Sequence, residues 1–266
     1  MQSHSPTLTR RAALLFAALL ISGCASAPRG GSEINVMTSG GFTAAYNELT
    51  PTYERETGNK VKTSYGASMG AASDSIPSRL SRGEPVDVVI LARPALDALV
   101  AQGKVVPGSQ VDLVRSSIGF AVKKGAPKPD ISTVDALKRT LLAAPSIAYS
   151  ASASGTYYET ELLKTLGIEA EVKPKSRRIL SERVGTIVAR GEAALGLQQV
   201  SELLPIEGID YIGPLPAAVQ RVTVFSAGVS TTARSPEGAK QLIRYFTSPP
   251  ARPAIVRSGL EPASAP

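Results

Sequence analysis

The sequence predicts an α/β fold made of two doubly wound lobes with a ligand cleft between them. Short apolar runs alternate with amphipathic helical patterns over residues 33–113, and the same alternation begins again further along the chain. The run VDVVILA (86–92) is apolar at nearly every position, which is typical of a parallel strand buried on both faces. Because no long linker or repeat separates the two units, we expect them to join tightly and to enclose a cleft.

The first unit is predicted to contain three strands, each followed by a helix. In the first of these helices, Phe42, Tyr46 and Leu49 share one face, and Gly58 ends the pattern. The predicted strands are 33–39, 60–66 and 86–92, and the predicted helices are 41–58, 71–83 and 94–104.

The second unit repeats this order after a proline-rich loop, APKPD. Its second helix, which ends at Gly167, begins in a loop of serine, alanine and glycine that contains no ionisable side chain. The last third of the chain returns to a strand and closes with two helices. The predicted strands are 116–125, 146–149, 194–200 and 221–230, and the predicted helices are 133–145, 156–167, 182–193, 235–248 and 249–259.

Residues 1–23 have the pattern of a secretory leader. Arg10 and Arg11 precede an apolar run that is too short for a convincing membrane span. The motif Ile-Ser-Gly-Cys at 21–24 predicts a lipoprotein in which Cys24 becomes the lipidated first residue, and an ordinary signal peptide cleaved near Ala27 is the alternative. We therefore expect a periplasmic protein held to the membrane only by a lipid, with residues 24–32 as its tether.

Composition excludes several classes of site from the mature chain. The single histidine, His4, lies in the leader, and the single cysteine is Cys24. A Ser-His-Asp triad, a Cys-His pair and a His-ligated metal site are therefore excluded, and we expect no metal and no cofactor. The formal net charge is +7, or +5 without Arg10 and Arg11 of the leader, and tryptophan is absent. Both features favour a small anion, not nucleic acid, as the partner.

Three predicted strands are each followed by a loop rich in serine and glycine that leads into a helix. At a helix N-terminus, unpaired N–H groups and the helix dipole attract anions. Any one of these serines could instead be an ordinary helix cap. The residues concerned are Ser39, Gly40 and Gly41 in the first loop, Ser68 and Met69 in the second, and Ser150, Ser152, Ser154 and Gly155 in the third.

Three segments resemble the periplasmic molybdate- and tungstate-binding proteins of ABC importers, and the resemblance extends over nearly all of residues 33–260. They are INVMTSGGFTAAYNELTPTYERETGNKV, SMGAASDSIPSRLSRGEPVDVVIL and PEGAKQLIRYFTSPPARPAIVRSGL. The resemblance implies a type 2 periplasmic-binding-protein fold, in which the chain crosses a hinge twice, near 112–116 and 222–228. It places lobe I at 33–113 plus 227–260, lobe II at 114–226 and a tail at 261–266.

The same resemblance implies how the ligand is held and which protein receives it. Serines of the first two loops, Ser39 and Ser68, would hold the anion together with backbone N–H groups of the loop 151–154 and a backbone contact near Val184. An ABC importer permease would receive the ligand.

The sequence departs from that family at two positions of the expected site. Gln199 stands where the family usually has a ligand-contacting tyrosine. Arg93 directly follows the strand at 86–92, and its guanidinium suits a bidentate carboxylate better than a small tetrahedral dianion. A solvated arginine at a helix start is the alternative interpretation of Arg93.

A denser match is to a subgroup of the family that includes the periplasmic aconitate isomerase. It is carried by SIPSRLSRGEPVDVV, GAPKPDIS, AYSASASG and VARGEAALGLQQVSEL. Such an isomerase needs an acid–base group for an allylic proton shift, and the subgroup has an aspartate where this chain has Ala151. Glu182, Glu84 and Tyr65 remain as weak candidates.

The sequence therefore favours a solute-binding protein that captures a small anion for ABC-type import. The anion would be a di- or tricarboxylate such as aconitate, or an oxyanion such as molybdate. An aconitate isomerase on the same fold is the alternative.

Overall fold

The computed structural model describes residues 1–2 and 31–263. The predicted leader, the lipidation site Cys24 and residues 264–266 of the predicted tail lie outside the described residues. No helix in the described ranges has both the length and the apolar character needed to cross a bilayer. Two mixed β-sheets, each flanked by helices, form the framework of residues 31–263, and we call each sheet with its helices a lobe.

The first lobe is built on a six-stranded sheet with the order β11-β4-β10-β3-β1-β2. Parallel pairing of β1 with β2 and β3 brings the carboxyl ends of three predicted strands to one edge. Strand β10 runs antiparallel to β3 and β4. The strands are β1 (Glu33–Thr38), β2 (Lys60–Tyr65), β3 (Val88–Ala92), β4 (Val111–Ser116), β10 (Thr223–Val229) and β11 (Glu261–Pro262).

The helices of the first lobe bury their apolar faces on this sheet. In α1, Phe42 and Tyr46 are buried and both contact the ring of Phe246 in α10. Gly58 ends α1 in the left-handed conformation, with φ 73°, which glycine adopts without steric cost. The helices are α1 (Gly40–Thr57), α2 (Ile76–Ser81), α3 (Arg93–Ala101), α10 (Pro236–Phe246) and α11 (Arg252–Arg257).

The second lobe is built on a five-stranded sheet with the order β7-β6-β8-β5-β9. Strands β6, β7 and β8 are parallel, and β5 runs antiparallel to β8. The strands are β5 (Ile118–Lys123), β6 (Ile147–Ser150), β7 (Ser176–Ile179), β8 (Leu195–Gln199) and β9 (Ile209–Pro214).

One long helical run of the second lobe contains a π turn. Helix α5 (Ala153–Tyr157) continues through a π-helical segment (Tyr158–Leu162) into α6 (Leu163–Thr165). The other helices are α4 (Val134–Ala143), α7 (Glu169–Val172), α8 (Val184–Ala189) and α9 (Val200–Leu203), with 3₁₀ turns at Lys173–Lys175, Ala217–Val219 and, in the first lobe, Pro249–Ala251.

The structure contains strands that the sequence pattern did not predict. Strands β7 and β9 form the two edges of the second sheet, and neither is an apolar run, because an edge strand is only partly covered. Strand β4 was expected only as a hinge segment. The two sheets are also mixed and not purely parallel, since β10 and β5 are reversed.

The chain passes between the sheets at Ser117 and returns between Val219 and Thr223. The Gln220 side chain joins these two passages, since its Oε1 accepts from the Ile118 N–H at 2.9 Å and its Nε2 donates to the Ile118 carbonyl at 2.9 Å. The two crossings are therefore tied together at one point.

Candidate functional site

A cavity of about 390 Å³ lies between the two lobes, at the carboxyl ends of the central parallel strands. Its volume is within the range of roughly 300–1,000 Å³ that is typical of small-molecule sites. The first lobe contributes Gly40, Thr43, Asn47, Tyr65, Gly66, Ala67 and Asp74, and the second contributes Ser150, Ala151, Ser152, Ile179, Leu180, Ser181, Glu182, Arg183, Gln198 and Glu202.

The N-terminus of α1 meets the cavity at Gly40. Ser39 is the N-cap residue, but its side chain makes no capping hydrogen bond. In the described part of the chain its Oγ is buried with no hydrogen-bond partner. The first N–H groups of an α-helix have no partner within the helix, so this end of α1 is suited to an anion.

Gly41 takes part in the joint between the lobes and does not line the cavity. Its carbonyl accepts a hydrogen bond of 2.8 Å from the Ser201 hydroxyl of the second lobe. A Cβ built on Gly41 would overlap the ring of Phe225, so the close packing here requires glycine.

The serine loop of the second lobe forms the opposite wall. Ser150, Ala151 and Ser152 line the cavity. The Ser150 and Ser154 hydroxyls lie 3.1 Å apart, and a Cβ on Gly155 would overlap the Ser150 carbonyl. Ser150 and Ser152 are therefore the serines of this loop that line the cavity, while Ser154 and Gly155 support the loop from behind.

The second predicted loop has a structural role in this conformation. Ser68 is fully buried, and its Oγ accepts a hydrogen bond of 3.0 Å from the Ala92 N–H at the end of β3. The Met69 sulfur accepts a hydrogen bond of 3.4 Å from the Thr156 hydroxyl of the second lobe. Neither residue lines the cavity, but Met69 connects the two lobes beside it.

Arg93, expected from its position to contact the ligand, does not line the cavity. Its guanidinium pairs with Asp97 at 2.9 Å and with Asp112 at 2.7 Å, and hydrogen bonds to these carboxylates raise the pKa of Arg93. Arg93 is the first residue of α3, so Asp97 lies one turn further along the same helix and within reach of its guanidinium.

Arg183, in the second lobe, is the arginine that lines the cavity. It is the one Arg or Lys among the lining residues, and no carboxylate of the described chain lies within ion-pair distance of it. It precedes α8 in an extended conformation, with φ −70° and ψ 133°. Sequence reasoning noted a backbone contact near Val184 but did not single out the adjacent arginine.

A second lining residue that the sequence pattern did not single out is Glu202. Its side chain is 9% exposed, and its Oε1 accepts a hydrogen bond of 2.9 Å from Gln198 Nε2. Burial raises the pKa of Glu202 to about 7, although the nearby charge of Arg183 and the Gln198 hydrogen bond both lower it. The sequence feature that could have identified Glu202 is its position just after a predicted buried strand, at the carboxyl edge of the sheet.

Two other predicted contacts support the wall without lining the cavity. Gln199 Nε2 donates to the Thr223 hydroxyl of the first lobe at 2.9 Å, and its Oε1 is buried without a partner among the described residues. The Val184 N–H donates to Gln198 Oε1 at 3.0 Å. Gln199 therefore faces the joint between the lobes, and Val184 orients the cavity-lining Gln198.

The three weak acid–base candidates differ in their surroundings. Glu182 lines the cavity but is exposed, and its ion pair with Arg190 lowers its pKa. Glu84 lies outside the cavity between Arg79 and Arg82. The Tyr65 hydroxyl lies at the cavity and donates to Asn47 Oδ1 at 2.7 Å.

Comparison with known proteins relates the chain to a family. The family model described as "Bacterial extracellular solute-binding protein" matches residues 34–261. An aconitate isomerase of a Pseudomonas species is 44% identical over 260 residues, which cover 98% of this chain and 97% of the relative. The molybdate-binding protein ModA of Azotobacter vinelandii is 26% identical over 244 residues, which cover 86% of this chain and 89% of ModA.

Solved structures share the same fold. The periplasmic molybdate-binding protein of Azotobacter vinelandii has a TM-score of 0.67 at 20% identity, with 88% of this chain and 99% of that chain covered. The sulfate-binding protein SubI of Mycobacterium tuberculosis has a TM-score of 0.69 at 19% identity, with 88% of each chain covered. These matches confirm the predicted two-lobed α/β fold, and the sequence relatives confirm the resemblance on which it was based.

Proposed function

Since the chain belongs to the family of bacterial extracellular solute-binding proteins, we propose that it works in the periplasm as an aconitate isomerase. The cavity between the lobes would bind aconitate and interconvert its trans and cis forms. This proposal reverses the order of the two functions that the sequence favoured.

The observation that carries the proposal is the arrangement of charge in the cavity. Arg183 offers a guanidinium that has no described carboxylate within ion-pair distance, although its charge acts on the nearby Glu202. Hydroxyl groups of Ser150 and Ser152 lie on the same wall, and the N-terminus of α1 lies on the opposite wall at Gly40. A ligand with several carboxylates matches these separate donors, because a guanidinium binds carboxylate in a bidentate manner.

The relative that is 44% identical over nearly both full lengths favours isomerisation of the ligand over simple capture. The departure that counted against an enzyme was Ala151, which lines the cavity and offers only a methyl group. Ala151 is a weaker argument against an enzyme once the cavity is known, because Asp74 and Glu202 both contribute carboxyl groups to it. In the proposed isomerase, the proton transfer would use one of these carboxyl groups and not residue 151.

Capture of a small anion for an ABC importer is the second candidate function. It is favoured by the family match over residues 34–261 and by the similarity to ModA. In this case a permease would receive the ligand, and lipidation of Cys24 would keep the binding protein at the membrane. Aconitate, another polycarboxylate or molybdate would then be cargo and not substrate.

Two measurements on the purified mature protein separate these functions. Incubation with trans-aconitate, followed by chromatography, should show cis-aconitate forming faster than in buffer alone. Calorimetry should show binding of aconitate and weaker or no binding of molybdate. Binding without turnover would reject the isomerase and favour capture. If aconitate is neither bound nor converted, the isomerase and the capture of aconitate are both rejected, and binding of molybdate would then favour capture of an oxyanion.

A further inference from the structure

We propose that Glu202 is the acid–base residue of this cavity, and that its carboxylate removes a proton from one allylic carbon of the bound tricarboxylate and returns it to the other. This inference rests on the isomerase proposed above, and it names the group that performs the proton transfer.

The position of Glu202 brings its carboxylate to the cavity from the second lobe. Helix α9 begins directly after β8, so the side chain lies at the carboxyl edge of that sheet. The carboxylate reaches across to the N-terminus of α1, where a Cβ built on Gly40 would overlap Glu202 Oε1. The absence of a side chain at residue 40 therefore makes room for this carboxylate.

Two hydrogen bonds set the orientation of the carboxylate. The Val184 N–H donates to Gln198 Oε1, which leaves Gln198 Nε2 to donate to Glu202 Oε1 at 2.9 Å. Glu202 Oε2 accepts no hydrogen bond from the residues that the structure describes. One oxygen is thus held by the protein, and the other remains for a substrate C–H group.

The surroundings allow Glu202 to act as both base and acid near neutral pH. Its pKa of about 7 makes both protonation states accessible, as a group that takes up and returns the same proton requires. The other charged or titratable side chains that line the cavity are Tyr65, Asp74, Glu182 and Arg183.

The reaction balances with these groups alone. The Glu202 carboxylate takes a proton from the methylene carbon, and the electron pair of that C–H bond forms a new double bond to the central carbon. The electron pair of the old double bond moves to the far carbon, which receives the proton back from the Glu202 carboxylic acid. Arg183, bound to a substrate carboxylate, would stabilise the negative charge that builds up between the two steps.

Two other carboxyl groups are weaker candidates for this role. Glu182 is paired with Arg190, and that pairing lowers its pKa and favours the carboxylate over the acid. Asp74 lines the cavity from the first lobe, with its Oδ1 buried and unpartnered among the described residues. Asp74 is therefore the rival that the experiment must separate from Glu202.

The test compares Glu202→Gln, Glu202→Asp and Asp74→Asn with the wild type. Glu237→Gln is the matched control, because Glu237 is an exposed carboxylate on α10 that pairs with Lys240. Turnover of trans-aconitate is measured from about pH 5 to 9, and binding is measured by calorimetry. We expect Glu202→Gln to lose about 10²–10⁴-fold in turnover while still binding aconitate, which shows that it is folded.

Further results follow from the same assignment. Glu202→Asp should keep part of the activity, since it retains a carboxylate that is one methylene shorter. The wild-type kcat/KM should rise with pH through about 7, because the base must be ionised, and the residual activity of Glu202→Gln should lack this inflection.

The outcomes separate this inference from the proposed function. If Glu202→Gln turned over trans-aconitate as fast as the wild type, the role of Glu202 would be overturned while the isomerase would stand. If only Asp74→Asn lost turnover, the acid–base role would belong to Asp74. Absence of wild-type turnover would overturn the isomerase and, with it, this inference.

Discussion

Gly40 and Glu202 meet at the cavity from opposite lobes, and a Cβ on Gly40 would overlap the Glu202 carboxylate. Gly40 is the first residue of α1. Glu202 lies in α9, which directly follows β8, the central strand of the second sheet. The carboxylate position therefore depends on how the two lobes close on each other.

Gly40→Ala should reduce turnover by at least about tenfold, because the added methyl group displaces the Glu202 carboxylate from its productive geometry. Residue 40 does not have a positive φ, so alanine is compatible with the backbone and the protein should remain folded. Kinetics together with circular dichroism would check this. Adding Glu202→Asp makes room for the methyl group, so a double-mutant cycle should show coupling, and wild-type turnover in Gly40→Ala would contradict the account.

Arg183→Gln should weaken aconitate binding by about 10- to 100-fold, which is about 1.5–3 kcal/mol for a hydrogen bond to a charged group. The matched variant is Arg93→Gln, whose guanidinium already pairs with Asp97 and Asp112 outside the cavity. It should bind with wild-type affinity in the same calorimetric titration. The reverse result would show that Arg93 holds the ligand.

The ionisation of Glu202 should make the protein less stable as pH rises. Its folded pKa of about 7 is above the ordinary value of 4.5, so its stabilising contribution is complete below about pH 4.5 and is lost as pH rises through about 7. At about 1.4 kcal/mol per pKa unit, the loss is about 3 kcal/mol. Denaturant titrations of Glu202→Gln should lack this decline, and a decline equal to that of the wild type would show that Glu202 is not its source.

Gln198→Leu should shift the midpoint of the pH–rate profile upward. The Gln198 hydrogen bond favours the Glu202 carboxylate, so its removal raises the pKa of Glu202 further. The variant also leaves the buried Val184 N–H unpaired, at a cost of about 1–3 kcal/mol. Gln199→Leu is the control, because Gln199 faces Thr223 and should alter stability without moving the midpoint.

Ala151→Asp tests whether residue 151 takes part in proton transfer. Ala151 is 5% exposed and lines the cavity, so a carboxylate there would repel a bound tricarboxylate. We expect aconitate affinity to fall by about tenfold or more and kcat not to increase, because Glu202 already supplies the acid–base group. An increase of kcat above tenfold would contradict this expectation.

Of the residues that local patterns in the chain predicted to hold a ligand, Gly40, Ser150 and Ser152 line the cavity. Ser39-Gly40 and the serine loop at 150–155 stand at strand ends that lead into helices, and parallel strands bring such ends to one edge of a sheet. Local sequence patterns did not predict the direction in which individual side chains point. Ser68 and Ser154 do not line the cavity, because the Ser68 hydroxyl is held by the Ala92 N–H and the Ser154 hydroxyl by that of Ser150. Met69 contacts Thr156 of the opposite lobe, which is distant in sequence.

The sequence by itself determined the class of the fold, with two α/β lobes and with serine and glycine at the strand ends. These features depend on periodicity, composition and short-range capping, which are properties of neighbouring residues. Only the tertiary structure decided that Arg183, and not Arg93, is the cavity arginine, and that Glu202 is buried at its wall. Burial and the pKa that follows from it come from packing α9 against α1, which no local pattern contains.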